Sequence, residues 1–175
     1  MKTNSINKLV AAALMAAMTC VATVIIAVPS PVGGFIHPGD GFVILSGIIL
    51  GPFFGGLAAG IGSMLADLIL GYSAYAVATF IIKCLAAIVA VCIYRILHKN
   101  KLMKLIPVLV GSILGGALVT LGYFIFESTI LGLGFASAAI NIPFNLIQNG
   151  FGIVISVLLF PLLLKVPQIR SMLEA

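Results

Sequence analysis

Apolar runs separated by Pro/Gly clusters or basic residues divide the chain into segments 8–28, 40–51, 52–71, 74–97, 104–127 and 137–165. Since roughly 20 apolar residues cross a bilayer as a helix, the pattern predicts six membrane helices joined by short connections. The segment 40–51 is too short to cross upright by itself, so it is expected to be tilted, half-buried or continued irregularly inside the protein. Three polar stripes interrupt these runs: Tyr75/Thr79/Lys83, Thr120/Tyr123/Glu127 and Asn141/Asn145/Gln148/Asn149. Their i, i+3 or i+4 spacing puts each stripe on one helix face. Polar groups that persist in hydrocarbon face a bundle interior or a watery cavity, so the stripes predict a pocket.

Composition agrees with a membrane protein. Hydrophobic residues make up 62% of the 175, charged residues 7%, and mean hydropathy is +1.32, whereas soluble domains carry about a quarter charged residues. The prediction is an all-α polytopic membrane protein whose residues 1–175 form a single domain. Three cysteines, Cys20, Cys84 and Cys92, fall inside apolar runs without CxxC spacing, which indicates neither a metal site nor a disulfide framework. The basic start at Lys2 and Lys8 followed by the run Leu9 to Val28 superficially resembles a signal peptide. That run exceeds the usual 7–15-residue signal core, and Ala17-Met18-Thr19-Cys20 lacks the small residue expected before a lipoprotein cysteine. It is read as the first membrane helix.

The net charge of +5 matters through its placement. Lys2 and Lys8, then Arg95, Lys99, Lys101 and Lys104, then Lys165 and Arg170, all fall on one side of a six-span arrangement. The positive-inside rule puts both termini and the fourth connection in the cytoplasm. Connections 29–39, 72–73 and 128–136, which have no Lys or Arg, fall outside. Nucleic acid is not an indicated partner.

In this orientation His37, Asp40, Asp67, Tyr75, Thr79, Tyr123, Glu127, Asn141 and Asn145 lie in the outer half, with Phe35, Tyr72, Phe135 and Phe144 at similar depth. Polar groups to fix orientation and aromatic faces to stack on suit a small planar polar ligand. The amides also fit interhelical bonding, about 0.6 kcal/mol each on average, although four on one face exceed what packing requires. Lys83 lies roughly 13 Å into its helix at 1.5 Å per residue and needs a partner. Asp67 or Glu127 is the expected one, and a structural ion pair competes with ligand contact. Tyr72, Tyr75 and Tyr123 equally suit an interfacial aromatic belt.

Small-residue pairs predict close helix packing: Ala12/Ala16, Ala13/Ala17, Gly51/Gly55, Gly56/Gly60 and Gly111/Gly115. The alanine face of the first helix doubles as a candidate docking surface. His37-Pro38-Gly39-Asp40 invites comparison with the GxGD motif of intramembrane aspartyl proteases, but its first residue is His and it sits at a connection. GxxxxGK[ST], HExxH and nucleophile-elbow motifs are all missing, so the chain carries no ATPase or hydrolase signature.

An alanine-rich first helix after a basic start, Gly34-Phe35-Ile36-His37-Pro38-Gly39-Asp40, Leu50-Gly51-Pro52, Gly55-Gly56-Leu57-Ala58-Ala59-Gly60-Ile61-Gly62-Ser63 and Ala66-Asp67-Leu68 together resemble the substrate-binding S component of an energy-coupling factor (ECF) vitamin transporter. The likeness extends over nearly the whole chain. It implies a six-helix S-component bundle in a prokaryotic cell membrane, with an outward-facing vitamin site under the first long loop. It also implies a T component and two cytoplasmic ATPases as partners, docking on Ala12, Ala13, Ala16 and Ala17. No cofactor and no catalytic role are expected. The substrate-binding set is His37, Asp40, Asp67, Tyr75, Thr79, Lys83, Tyr123, Glu127, Asn141, Asn145, Gln148 and Asn149. The short chain and the His37–Asp40 loop look most like members assigned to hydroxymethylpyrimidine or pyridoxine, with pantothenate, riboflavin and queuosine precursors as alternatives.

Two other classes compete. An intramembrane enzyme would pair Asp40 with Asp67. An autonomous channel or facilitator would need polar residues through the inner half as well, where Ile88 to Ile93 and Ile153 to Leu164 are almost wholly apolar.

Overall fold

The computed structural model describes residues 5–98 and 105–173. Lys2, Lys99, Lys101 and Lys104, which carry part of the charge argument, lie outside the described residues. The elements run α1 (Ser5–Ile25), strands β1 (Val28–Pro29) and β2 (Phe35–Ile36), α2 (Asp40–Leu70), α3 (Ser73–Leu97), α4 (Ile106–Ile125), a π-helical turn (Phe126–Ile130), α5 (Phe135–Ile140), α6 (Ile142–Leu163) and α7 (Pro167–Leu173). Among the described residues five helical segments are long and apolar enough to cross a membrane, and they match the predicted runs with two differences.

The first difference is that segments 40–51 and 52–71 belong to one helix, α2, broken at Gly51. Pro52 lacks an N–H and drives the preceding residue out of helical geometry. Gly51 adopts φ 84° and ψ 177°, where a side chain would be strained. The chain reverses there. Ser46 Oγ donates to the Gly55 carbonyl at 3.0 Å, whereas nine residues along a straight helix lie about 13 Å apart. The arm 40–50 rises only about 16 Å at 1.5 Å per residue. The connection 26–39 makes up the missing depth by descending into the bundle, so that His37 is 6% and Asp40 4% exposed. This is the irregular continuation inside protein that hydrocarbon tolerates.

The second difference is that segment 137–165 is interrupted at Asn141, between α5 and α6. Pro143 occupies the first turn of α6, so the helix starts afresh there and does not run through from α5.

Small residues set the packing distances. A Cβ built at Gly47 would fall 2.2 Å from the Ala87 carbonyl oxygen, and one at Gly111 2.8 Å from that of Ala90. Apolar burial gains nothing over lipid tails, so such backbone approaches are what hold membrane helices together. On α1 the two alanine pairs separate. Ala12 is buried and Ala16 half-buried, while Ala13 and Ala17 are exposed. A Cβ at Gly62 of α2 would meet the Ala16 carbonyl oxygen at 2.4 Å. Of the four alanines expected to form a docking face, Ala12 and Ala16 thus take part in the internal α1–α2 contact, and Ala13 and Ala17 look outward. The pairs are offset by one residue, about 100° around the helix, and one neighbour cannot cover both.

Lys8, Arg95 and His98 gather with Gly51 around one end of the bundle. The polar stripes meet at the other.

Candidate ligand-binding cleft

A cleft of about 400 Å³, counted out to its mouth, opens under the β1–β2 hairpin. Its floor and sides come from Asp67 at the end of α2, Tyr75 and Thr79 on α3, Tyr123 and Glu127 at the end of α4, and Asn141, Phe144 and Asn145 where α6 begins. Ser30, the Gly33-Gly34 tip, Phe35, Ile36 and His37 form the roof. Gly33 and Gly34 have φ of 124° and 75°, and a Cβ at Gly33 would lie 3.0 Å from the Tyr75 hydroxyl. The tip thus needs glycine both for its turn and for its approach to Tyr75. Aromatic rings line up beside it: Phe35 lies 4.7 Å from Tyr72 and 5.4 Å from His37 between centroids, and Tyr75 lies 6.4 Å from Tyr123.

Asn141 fastens the roof. Its Nδ2 donates to the Gly33 carbonyl at 3.2 Å and to Glu127 Oε1 at 3.0 Å, and its Oδ1 accepts from the Ser30 hydroxyl. Glu127 Oε1 also accepts a long bond, 3.4 Å, from Tyr75. Glu127 lies in the π-helical turn, a geometry often found at functional sites. Thr79 and Tyr123 share a hydrogen bond of 2.9 Å.

Behind this wall runs a second polar group. Lys83 Nζ lies 2.5 Å from Asp40 Oδ1, with both side chains nearly inaccessible. Gln148 Nε2 donates to Asp40 Oδ2 at 2.8 Å, while Gln148 Oε1 accepts the His37 backbone N–H at 3.2 Å. The Lys83 ammonium also sits 5.4 Å from the Tyr123 ring centroid, within cation–π range. The expected partners of Lys83, Asp67 and Glu127, are thus corrected to Asp40. The descending connection brings the start of α2 to the depth of Lys83, which the linear sequence does not reveal.

The twelve predicted residues therefore divide. His37, Asp67, Tyr75, Thr79, Tyr123, Glu127, Asn141 and Asn145 line the cleft. Asp40, Lys83 and Gln148 do not line it and form the buried network behind it. Asn149 turns away: its Nδ2 bonds the Gly116 carbonyl at 2.7 Å and Thr120 Oγ1 at 2.8 Å, joining α6 to α4. A helix face spans more than one neighbour, so a stripe of four amides serves three purposes. Sequence reasoning missed Ser30, Gly33 and Gly34 as roof residues, and Thr23, which contacts His37 Nδ1 at 3.2 Å. The Pro/Gly-rich stretch 29–34 signalled only a turn.

Several groups around the cleft have no partner. Asp67 Oδ2 and Glu127 Oε2 are buried without a hydrogen bond, a condition native proteins rarely tolerate without a reason. No hydrogen bond among the described residues engages the Asn145 side-chain amide or His37 Nε2. The Gly39 N–H donates to His37 Nδ1 at 3.1 Å, which leaves the hydrogen of the neutral ring on Nε2. Burial, helped by the Lys83 charge and opposed by Asp40, lowers the His37 pKa to about 3, so the ring is neutral at physiological pH. Among the described residues no cluster of His, Cys, Asp and Glu suits a metal ion.

Comparison with known proteins agrees with this architecture. A family model described as "ECF-type riboflavin transporter, S component" matches residues 3–165. A protein of Pyrococcus woesei, named "Uncharacterized protein in gap 3'region", is 31% identical over 136 residues, 77% of this chain and 86% of its own length. The multi-pass helices, the polar cleft at one end and a family match over nearly the whole length lead to one assignment: the chain belongs to the S-component family of ECF-type transporters, membrane-embedded subunits of vitamin uptake systems and not enzymes.

Proposed function

We propose that this S component captures a small, hydroxylated, weakly basic heteroaromatic vitamin or precursor, with hydroxymethylpyrimidine or pyridoxine the best fit. The observation that carries the reading is the pair of unpartnered carboxyl oxygens, Asp67 Oδ2 and Glu127 Oε2, on residues that line the cleft. They call for hydrogen-bond donors or a partial positive charge on the ligand. The nearest cation, Lys83, is already engaged by Asp40, and His37 is neutral. An anionic ligand such as pantothenate would face two carboxyl groups with no free cation. Phe35, Tyr75, Tyr123 and Phe144 offer faces for a ring of one or two cycles, and Asn145 and His37 Nε2 offer further polar contacts.

Riboflavin is the second reading, favoured by the description of the matching family model. Mass spectrometry of small molecules released from the purified protein, followed by titration with hydroxymethylpyrimidine, pyridoxine and riboflavin, separates the two. A bound pyrimidine or pyridine supports the first reading, and stoichiometric yellow flavin overturns it in favour of the second.

In this proposal the two arms of α2 each cross and bring the five spans to six crossings, the termini face the cytoplasm and the cleft faces out. Delivery depends on a T component and two ATPases, because the chain has no nucleotide-binding motif of its own. Docking uses the outward pair Ala13 and Ala17. Liposomes holding the chain alone should bind vitamin without accumulating it, and adding the T component, ATPases and internal ATP should start uptake. Ala13→Leu should abolish that uptake and spare binding, since leucine holds a partner helix away. Ala16→Leu should instead damage folding, because it meets α2. Concentrative uptake by the lone chain would point to a secondary transporter.

A further inference from the structure

The charged end of the bundle carries two adjoining depressions that the vitamin cleft does not use. One, about 770 Å³ out to its open side, is lined by Lys8, Gly51, Arg95 and His98, with Tyr94 and Met172 beside them. The other, about 1480 Å³ on the same measure, runs between α1 and α7 and is lined mainly by apolar side chains, among them Val10, Ala11, Leu14 and Ile169. Ile49, Leu50 and Met172 belong to both, so the depressions form one continuous surface. Among the described residues its cationic part has no counter-charge. The only ion pair among the described residues is Asp40–Lys83, and no described carboxylate hydrogen-bonds Lys8 or Arg95. His98 stacks on Tyr94 with ring centroids 4.7 Å apart, which fixes its ring at the rim.

A polar cationic basin opening into an apolar groove matches an amphiphile with an anionic head. We propose that this surface holds one anionic phospholipid, its phosphate between Lys8 and Arg95 and one acyl chain along the α1–α7 groove. Arg95 offers the planar fork that binds phosphate oxygens in pairs, and Lys8 adds a point charge. The groove by itself selects nothing, because any tail in the bilayer fills it equally well. It seats a tail so that the head meets the cations, and selectivity comes from charge, as at other basic pockets on the cytoplasmic side of membrane helices. A positively charged segment end attracts anionic lipid diffusely. The groove adds to this a defined seat for a single molecule.

Native mass spectrometry of the full chain, purified in detergent and offered equal amounts of phosphatidylglycerol and phosphatidylcholine, tests the site. One phosphatidylglycerol per chain should be retained roughly tenfold or more over phosphatidylcholine, on the order of what two cationic side chains near a lipid phosphate supply. Lys8→Gln with Arg95→Gln should erase the preference, Arg95→Lys should keep most of it, and Ala11→Phe, which fills the groove, should release the lipid with both charges intact. Retained vitamin binding in each variant shows that the fold and the distant cleft survive. Equal retention of the two lipids, or a preference untouched by the double substitution, overturns the proposal. So does a groove in which Ala11→Phe leaves the lipid bound and instead blocks association with the T component, because it then belongs to a protein partner.

Discussion

Asp40 and Glu127 are both buried carboxyl residues of the same bundle, yet their surroundings differ in kind. Each Asp40 oxygen has its own strong partner, Lys83 on one and Gln148 on the other. Glu127 has two donors on a single oxygen and none on the other, and Asp67 likewise leaves an oxygen unpartnered. Burying a charge costs on the order of several kcal/mol unless its hydrogen bonds are replaced. Asp40 replaces them from within the fold and therefore acts as structure. Glu127 and Asp67 are left incomplete by the fold, and in the proposed function the ligand completes them. Burial alone does not distinguish a binding residue from a structural one. An unpartnered polar atom on a residue that lines the cleft is the added signal, since Asn149 Oδ1 is also unpartnered and lies outside the cleft.

The sharpest way to break this comparison is to remove the partner on the satisfied side. Lys83→Leu leaves the Asp40 carboxylate buried and unpaired, and should destabilise the protein by about 3–5 kcal/mol, as breaking buried ion pairs does. The expected readout is a large drop in the thermal transition in detergent, with vitamin binding lost as a consequence. Lys83→Leu combined with Asp40→Asn should recover much of the stability, since the amide needs no counter-charge and still accepts from Gln148. A single variant as stable as the parent would mean the pair is not structural.

The incomplete side should respond in the opposite sense. Glu127→Gln removes the charge, keeps the shape, and should weaken vitamin affinity about 10- to 100-fold, corresponding to roughly 1.5–3 kcal/mol for a hydrogen bond to a charged group. Its thermal transition without ligand should shift little, because the amide oxygen still accepts from Tyr75 and Asn141 and the neutral side chain is less costly to bury. Asp67→Asn should show the same pattern at smaller size, as Asp67 has no latch to the roof comparable to Asn141. Isothermal titration alongside melting curves reads both quantities. A Glu127→Gln protein that loses stability but binds normally would place Glu127 with Asp40.

Much of this arrangement was legible in the sequence. Hydropathy, charge placement and the Gly51-Pro52 break located the helices, because those features act locally. The three polar stripes pointed to a shared pocket because hydrocarbon makes polar groups costly wherever they occur. What periodicity could not resolve was which neighbour each residue of a stripe meets. Gln148 and Asn149 are adjacent and both polar, yet one reaches Asp40 and the other α4. Nor could it reveal that the connection 26–39 sinks into the bundle and carries Asp40 to Lys83. That depends on α2 being too short in its first arm, which the sequence showed, and on the direction the loop takes to compensate, which it did not. The split of the alanines on α1 has the same origin: small residues announce a contact without naming the partner.

His37 connects the two sides of the comparison and gives its mildest test. Its backbone N–H belongs to the Asp40 network through Gln148, while its ring lines the cleft. Burial and the Lys83 charge bring the folded pKa down to about 3 from 6.5, so the fold favours the neutral ring. The stabilisation from keeping it neutral is fully present above about pH 6.5 and is lost as the pH falls through that value toward 3. Unfolding free energy should therefore be flat with respect to this group above about pH 7 and decline below it, by at most about 1.4 kcal/mol per pH unit, with the melting temperature falling in step. Vitamin affinity should show no His37 titration between about pH 6 and pH 8, because the ring does not change charge there and Nε2–H stays available as a donor. In His37→Gln the acid decline should become shallower, since the proton-binding group is removed, while the Gln148 contact, made through the backbone, persists. If instead affinity falls as the pH drops from about 8 to 6 in the parent protein and not in His37→Gln, the ring titrates in the native cleft. The Gly39 N–H is then not what sets its tautomer, and the His37 ring joins Glu127 and Asp67 on the receptive side of the comparison.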